Sequence, residues 1–325
     1  MEVLEVEGVR IAGIAACVPA NAVANDAKVA AATGIASRRV ASDGVSLLDL
    51  CFAAATRVIK DAHAKPEEFG AILAVSFTQA ERMPPLAAQA QARLGFPKAI
   101  LAFDVMQACA GWLYGLYLAA LLAHETGKKV LLLDGDKQSD FLDAHDATTM
   151  PLLSDGATAT IVEREEAAEA STPPCPKPPW RFSFYTDGEK GGALRLENGS
   201  TIQMDGFGVF RFVATDVVAF LKRFMNQSAS TLLEPAFFVP HQPNVYMVRQ
   251  LAKALGLLDR TLVSADLLGN LASASVPATL AANAAKLSAA SSPVRLLVSG
   301  FGGGLAISAG AITLEASVPL SLSEL

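Results

Sequence analysis

The longest uncharged run in this chain most strongly limits how it can fold. Between Asp104 and His124 lie 19 residues without a charge, VMQACAGWLYGLYLAALLA, rich in leucine, alanine and aromatic residues. A run of this length and apolarity is typical of a membrane span or of a helix buried on all sides in a large core. The flanking segments read as buried strands, so we predict a buried helix.

Cys109 lies near the start of this run, among small residues in the segment ACAG. If the helix begins near this cysteine, free backbone N–H groups and the positive end of the helix dipole lie close to its sulfur. That placement favours the thiolate, which is the nucleophilic form of cysteine. The alternative is that Cys109 is a small apolar residue packed in a core.

Composition limits the classes of function. The 325 residues carry a net charge of −6, with 52% hydrophobic and 18% charged residues and no basic run, which argues against a nucleic-acid-binding protein. An acidic carrier protein would need a local basic patch to dock. The length predicts two domains or one large duplicated domain.

The N-terminus and the cysteine and histidine spacings indicate the compartment and the absence of a metal site. Acidic residues at positions 2, 5 and 7 stand where a signal peptide would be basic, so a cytoplasmic protein is expected. The four cysteines, Cys17, Cys51, Cys109 and Cys175, form no C-x-x-C pair, and no two histidines are spaced for metal binding. We expect neither disulfides nor a metal, and no cofactor.

Apolar strands alternate with helical patterns along the chain. Strands are predicted at residues 9–18, 71–77, 99–105, 128–136 and 157–163, and a helix capped by Ser46 follows the first of them. Strands that are continuously apolar predict an α/β fold with a mostly parallel sheet covered on both faces. The alternation restarts after a proline-rich connection at 166–180, so we predict two similar halves, 1–165 and 181–325.

Three polar residues follow apolar strands, where sites assemble in α/β sheets. Cys109 follows AFDV, His241 follows FFVP, and Asn270 lies in the turn LLGN. Taken singly, His241 also suits a helix cap together with Asn244, and Asn270 suits a turn residue. Their joint occurrence, together with the sequence around them, is far more specific than any one of them alone.

The text around these residues resembles the beta-ketoacyl-acyl carrier protein synthase III family of the thiolase superfamily. The matching segments are DVMQACAGWLYGL, MDGFGVFRF (204–212), PHQPN (240–244), GNLASASVP (269–277) and SGFGGGLAISAGAI (299–312). The resemblance implies a duplicated, five-layered αβαβα fold with two helices buried between the sheets. It also implies a homodimer, in which the loop around Met83 reaches into the partner's acyl pocket.

The resemblance implies roles for individual residues. Cys109 would accept an acyl group from a thioester, and the backbone N–H groups of Cys109 and Gly303 would form the oxyanion hole. His241 and Asn270 would donate hydrogen bonds to the enolate that forms when a malonyl thioester loses CO₂. The remaining residues that the resemblance places around the substrate are Met83, Trp112, Phe301, Gly302 and Gly304.

The chain also departs from the family pattern. Aligned through Thr33-Gly34-Ile35, the family's adenine-stacking tryptophan falls on Lys28, and two of its arginines fall on Ala32 and Ala147. A further arginine of the family is Tyr246 here. We therefore hypothesise an acyl donor presented on a carrier protein, or CoA bound in another way, in a specialised enzyme of secondary metabolism.

Two further interpretations remain open from the sequence. A carrier protein would dock on basic residues that flank His241, namely Arg211, Lys222, Arg249 and Lys253, although these also suit ordinary solvated helix faces. The same scaffold also suits an acyltransferase or thioester hydrolase that uses Cys109 and His241 without condensation. A catalytically silent subunit is disfavoured because all three polar residues are present.

Overall fold

Two β-sheets lie face to face in the computed structural model, which describes residues 2–165, 177–228 and 234–325. The strands are β1 (Leu4–Val6), β2 (Val9–Val18), β3 (Ala22–Ala24), β4 (Ser37–Arg39), β5 (Phe69–Val75), β6 (Leu101–Val105), β7 (Lys129–Asp136), β8 (Gly156–Arg164), β9 (Trp180–Thr186), β10 (Leu194–Arg195), β11 (Gln203–Met204), β12 (Phe237–Pro240), β13 (Val294–Gly302), β14 (Ala306–Leu314) and β15 (Leu320–Glu324). The first sheet has the strand order β15-β2-β8-β7-β5-β6, and the second has the order β1-β9-β14-β13-β12.

Helices cover both sheets and fill the space between them. They are α1 (Ala27–Thr33), α2 (Leu47–Asp61), α3 (Leu86–Arg93), α4 (Gly111–Thr126), α5 (Gly206–Phe212), α6 (Val218–Gln227), α7 (Val245–Leu255), α8 (Ala265–Leu268), α9 (Ser275–Ala282) and α10 (Ala284–Ser288). A π-helical turn, Val213–Val217, joins α5 to α6. Helices α2 and α3 pack on the outer face of the first sheet, and α6 and α7 on the outer face of the second.

Helices α4 and α9 form the middle layer. Each contacts strands of both sheets, so each must be apolar around its whole circumference. The uncharged run from the sequence is therefore a buried helix, as predicted, although α4 itself begins only at Gly111. Together with the outer helices, this arrangement confirms the five-layered αβαβα fold.

The sheets are mixed, and the prediction of a mostly parallel sheet holds only in part: three of the five strand pairings in the first sheet are parallel, but only one of the four in the second. Strands β5, β6 and β7 run parallel, but β8 runs antiparallel to both β7 and β2. In the second sheet, only β12 and β13 are parallel. No crossover helix lies between β7 and β8 or between β13 and β14, so each of these strands returns beside its predecessor in the opposite direction.

Strand β6 is less buried than its apolar sequence predicted. It pairs with β5 at one edge of the first sheet, and the Leu101 and Phe103 side chains are 50% and 37% exposed. An edge strand has a neighbour on one side only, so apolar residues there need not face a core. The apolarity of residues 99–105 therefore did not indicate an interior position.

The first strand of the chain belongs to the second sheet, and the last strand belongs to the first sheet. Strand β1 pairs with β9 of the second sheet, while the last strand, β15, pairs with β2 of the first. Residues 166–176 of the proline-rich connection, including Cys175, lie outside the described residues. In the described ranges, no helix is long and apolar enough to span a membrane.

Candidate active site

The turn between β6 and α4 carries Cys109, and glycines bring other elements close to it. An added Cβ at Gly111 would overlap Cγ1 of Val75, so glycine lets the start of α4 approach β5. An added Cβ at Gly302 would lie 3.0 Å from the Cys109 sulfur. The end of β13 therefore comes this close to the sulfur only because Gly302 lacks a side chain.

A cavity of ≈ 360 Å³ opens at Cys109 and brings together most of the predicted site. His241 and Asn270 line it, as do Phe301 and the three consecutive glycines Gly302, Gly303 and Gly304. These residues come from both halves of the chain. The three candidate catalytic side chains thus share one cavity, although they are widely separated in sequence.

His241 is held in place by its backbone and by an aromatic contact. Its N–H donates to the Ser299 carbonyl at 2.7 Å, which continues the pairing of β12 with β13. The ring is buried and meets the Phe301 ring edge-on, with 5.4 Å between centroids. Burial lowers the pKa of His241 to about 3, against a weaker opposing effect of the Ala272 backbone. His241 is therefore neutral, with one nitrogen that accepts and one that donates.

Asn270 is held so that its amide NH₂ group stays available. Its side-chain Oδ1 accepts the Ala272 N–H at 2.9 Å. Its backbone N–H donates to the Leu152 carbonyl at 2.9 Å, and its own carbonyl accepts from the Ser154 N–H at 3.0 Å. Within the described chain, Nδ2 makes no hydrogen bond, so Asn270 is oriented as a donor.

The structure contradicts the prediction that the pKa of Cys109 is lowered. Burial, followed by the nearby Asp136 charge, raises the pKa of Cys109 to about 12, while the backbone N–H groups of Cys109 and Gly303 act in the opposite direction. The resting group at neutral pH is therefore the thiol. The two N–H groups that face the sulfur are the pair predicted for the oxyanion hole.

Asp136, at the end of β7, was missed by the sequence reasoning. Its Oδ1 accepts hydrogen bonds from the Ser76 hydroxyl, the Phe77 N–H and the Thr78 hydroxyl, and its Oδ2 accepts from the Ser273 hydroxyl, each at 3.0 Å. Burial raises the pKa of Asp136 to about 7 despite these bonds. A carboxylate that ends an otherwise apolar strand was the available signal.

Gln138, just after β7, is the second functional residue that was missed. It lines the cavity and donates from Nε2 to the carbonyl oxygens of Ser154 and Asn270, at 2.6 and 2.8 Å. These bonds join the strand that carries Asp136 to the turn that carries Asn270. A lone glutamine after a strand gave no sequence signal of this role.

Trp112, which was predicted to contact substrate, lies elsewhere, whereas the predicted contact of Met83 with a partner's pocket stays a prediction. Trp112 is 1% exposed, is absent from the cavity wall, and donates from Nε1 to the Thr160 hydroxyl at 3.3 Å. Since it lies one residue inside the buried helix, its ring packs in the core. Met83 is 85% exposed and lies outside the cavity of its own chain.

The four predicted carrier-binding residues lie on outer helices. Arg211 is on α5, Lys222 on α6, and Arg249 and Lys253 on α7. All four are exposed, and none forms an ion pair with another described residue. Across the described ranges, no group of three or more His, Cys, Asp or Glu side chains is placed to hold a metal ion.

Comparison with known proteins gives a consistent result. Residues 103–172 match the family model of 3-oxoacyl-[acyl-carrier-protein (ACP)] synthase III, and residues 225–314 match the model of its C-terminal part. The chain is 31% identical over 251 residues to a beta-ketoacyl-[acyl-carrier-protein] synthase III from Tropheryma whipplei strain Twist, covering 75% of this chain and 77% of that protein. It is 30% identical over 308 residues to one from Desulfitobacterium hafniense strain Y51, covering 86% and 87%.

A solved structure has the same fold over the whole chain. The 3-oxoacyl-(acyl-carrier protein) synthase from Burkholderia xenovorans LB400 superimposes with a TM-score of 0.91 at 27% identity. The match covers 100% of this chain and 99% of that one.

Proposed function

The chain belongs to the beta-ketoacyl-[acyl-carrier-protein] synthase III family, and from that premise we propose that it is a condensing enzyme that works through an acyl-Cys109 intermediate. The observation that carries the assignment of residues is the shared cavity of Cys109, His241 and Asn270, with two backbone N–H groups facing the sulfur. The cavity holds a nucleophile, a neutral imidazole and an amide donor. That set matches the needs of acyl transfer followed by decarboxylation.

In the first step, the Cys109 sulfur attacks the carbonyl carbon of an acyl thioester. Because the resting group is a thiol, its proton must leave as the carbon–sulfur bond forms, and the accepting nitrogen of neutral His241 takes it. The N–H groups of Cys109 and Gly303 stabilise the oxyanion. The donor's carbon–sulfur bond then breaks, and its thiolate leaves with the proton from His241.

In the second step, a malonyl thioester enters and its terminal carbon–carbon bond breaks to release CO₂. The electron pair of that bond forms an enolate, whose oxygen accepts hydrogen bonds from the Asn270 amide and from His241 in the tautomer that carries its proton on the nitrogen facing the cavity. Neither donor carries a negative charge, so the enolate is not repelled. The enolate carbon attacks the carbonyl carbon of acyl-Cys109, the bond from that carbon to the Cys109 sulfur breaks to give a 3-oxoacyl thioester, and the Cys109 thiolate takes a proton from water.

Release of CO₂ tests condensation against simple acyl transfer. The acylated protein is incubated with malonyl thioester labelled at its free carboxyl, and labelled CO₂ and 3-oxoacyl product are measured together. Equal amounts of both are expected. Acyl transfer to water, an amine or an alcohol without CO₂ release would instead identify an acyltransferase or hydrolase on this scaffold.

The acyl donor is proposed to arrive on a carrier protein rather than on CoA. Lys28 and Tyr246 stand where the family pattern places a stacking tryptophan and an arginine, on the neighbouring helices α1 and α7. Loss of an aromatic face and of guanidinium groups removes interactions worth about 1 kcal/mol each with a nucleotide. Acylation rates with matched acyl-CoA and acyl-carrier donors test this, and a clear preference for CoA would contradict it.

The carrier-docking surface is proposed to include the exposed cations Arg211, Lys222, Arg249 and Lys253. An acidic carrier would be attracted by this group because no described carboxylate pairs with it. Lys253→Glu is expected to raise KM for the carrier-borne substrate with little change in kcat. An unchanged KM would assign these residues to an ordinary solvated surface.

A homodimer is proposed through the exposed edge of the first sheet. Leu101 and Phe103 on β6 form an apolar surface beside Met106, which is also exposed. Such an edge strand is a template for pairing with another chain. Phe103→Lys is expected to convert a dimer into monomers in analytical ultracentrifugation; a monomeric wild-type protein would contradict the proposal.

A further inference from the structure

Gln138 places a hydrogen-bond acceptor in a cavity wall that is otherwise mostly apolar. The cavity is lined by aliphatic and thioether side chains from several elements, including Leu153, Leu194, Ile202, Met204, Val209 and Met247. Gln138 lies in the same wall and is only 1% exposed. A polar side chain in such a place normally has its hydrogen-bonding groups paired.

The amide of Gln138 is fixed by its own nitrogen. Both hydrogens of Nε2 are used, because Nε2 donates to the carbonyl oxygens of Ser154 and Asn270 at 2.6 and 2.8 Å. The plane of the amide is therefore set, and with it the position of Oε1. Among the described residues, Oε1 accepts no hydrogen bond. The protein thus holds a pre-oriented acceptor without a donor beside the candidate catalytic residues.

We propose that Oε1 of Gln138 accepts a hydrogen bond from a hydroxyl group on the acyl chain carried by Cys109, so that the enzyme selects hydroxylated acyl donors. This inference rests on the proposed function, since it concerns the acyl group of that reaction. An unsubstituted chain would cover Oε1 without pairing it, and a keto group can only accept. A site built to hydrogen-bond a hydroxyl rejects an analogue that lacks one far more strongly than an apolar pocket rejects an added group.

The test compares acyl donors that differ in a single oxygen. Wild-type protein is acylated from one carrier protein loaded with butanoyl, with 3-oxobutanoyl, or with butanoyl bearing a hydroxyl at carbon 2, 3 or 4. The rate of Cys109 acylation is followed by intact-mass spectrometry. At least one hydroxylated donor is expected to react about tenfold faster than butanoyl or more, and 3-oxobutanoyl no faster than butanoyl.

A variant then assigns the preference to Gln138. Gln138→Leu also removes the two hydrogen bonds from Nε2, so it is expected to lower the acylation rate with every donor. The ratio of the rate with a hydroxylated donor to the rate with the plain donor is not affected by this general loss. The ratio is expected to fall towards one. Gln91→Leu is the matched control, since Gln91 likewise donates from Nε2 to two carbonyls, those of Phe96 and Pro97, but lies outside the cavity wall. Its ratio is expected to equal that of wild type.

Three outcomes would overturn the inference. Equal wild-type rates for plain and hydroxylated donors would do so even if Gln138→Leu does not fold. An unchanged ratio in soluble Gln138→Leu would remove Gln138 as the cause. No acylation by any donor would overturn the proposed function, and this inference with it.

Discussion

The two helices buried between the sheets occupy similar places but are built differently. Helix α4 has 16 residues and follows the turn with Cys109, while α9 has eight residues and follows the turn with Asn270. The turns before them line the same cavity through Cys109 and Asn270, and both helices contact both sheets. The two halves therefore share the placement of a buried helix but differ in chemistry. The turn before α4 supplies the nucleophile Cys109, and the turn before α9 supplies the hydrogen-bond donor Asn270.

The two helix starts are also held by different forces. At α4, close packing dominates: an added Cβ at Gly111 would overlap Val75, and one at Gly300 would lie 2.7 Å from Cα of Ala110. At α9, hydrogen bonds dominate, from Ser273 to Asp136 and between the Ser264 and Thr279 hydroxyls at 2.7 Å. Close packing suits an uncharged nucleophile, whereas an amide donor needs its orientation set by polar partners.

The largest expected effect comes from removing the nucleophile at the start of α4. Cys109→Ala is expected to lower kcat for condensation by about 10³-fold or more, because no covalent intermediate can form. Intact-mass spectrometry after exposure to an acyl donor checks for loss of the acyl adduct. Cys51→Ala, at a cysteine buried on α2 outside the cavity, serves as the control and should retain the adduct. Full activity of Cys109→Ala would contradict the mechanism.

The hydrogen-bond donor Asn270, in the turn before α9, should matter only in the second step, decarboxylation. Asn270→Ala is expected to lower the rate of CO₂ release by about 10²-fold to 10³-fold, as for loss of one oxyanion-hole donor, while Cys109 is still acylated. Single-turnover measurements of acylation and of CO₂ release separate the two steps. Equal losses in both steps would show that Asn270 acts before decarboxylation and that the division between the helices is wrong.

Close packing at α4 predicts a stability effect. Gly111→Ala is expected to lower the free energy of unfolding by about 1–3 kcal/mol, because the added methyl group meets Val75 in a packed core. Urea denaturation measures the change. Gly192→Ala is the matched control, since an added Cβ there has no atom within 4 Å and should change stability by about 0.5 kcal/mol or less. Equal effects at both sites would refute the steric explanation.

Asp136 interacts with the residues before both helices: it accepts a hydrogen bond from Ser273, and its charge acts on Cys109. Removing that charge is expected to have the smallest effect of the changes considered. Asp136→Asn removes a negative charge that disfavours the thiolate, so the pKa of Cys109 should fall and iodoacetamide should alkylate Cys109 faster at a given pH. The difference should be largest above pH 7, because the wild-type carboxyl has a pKa of about 7 and is increasingly neutral below it. Asp134→Asn, two residues earlier on β7, should leave the alkylation profile unchanged. Identical profiles for wild type and Asp136→Asn would contradict this role.

Much of the fold and of the site was predictable from local patterns. The uncharged run indicated α4, and the Ser46 cap indicated α2, whose capping box with Asp49 is present. The placement of Cys109, His241 and Asn270 after strands or in turns predicted a shared site, although β6 and β12 belong to different sheets, so the site forms between the sheets and not at one sheet edge. The exposure of β6 was not predictable, since an apolar strand has the same sequence pattern in a core and at a sheet edge.

The sequence by itself determined the alternation of strands and helices, the buried helix and the three candidate catalytic residues, because hydrophobic periodicity and short motifs are local properties. The tertiary structure alone decided the protonation of the site, the place of Trp112 and the roles of Asp136 and Gln138. The pKa of Cys109 depends on how much water the surrounding elements exclude and on a carboxylate 27 residues away in the chain. Desolvation and through-space charge are set by packing, and no local pattern records them.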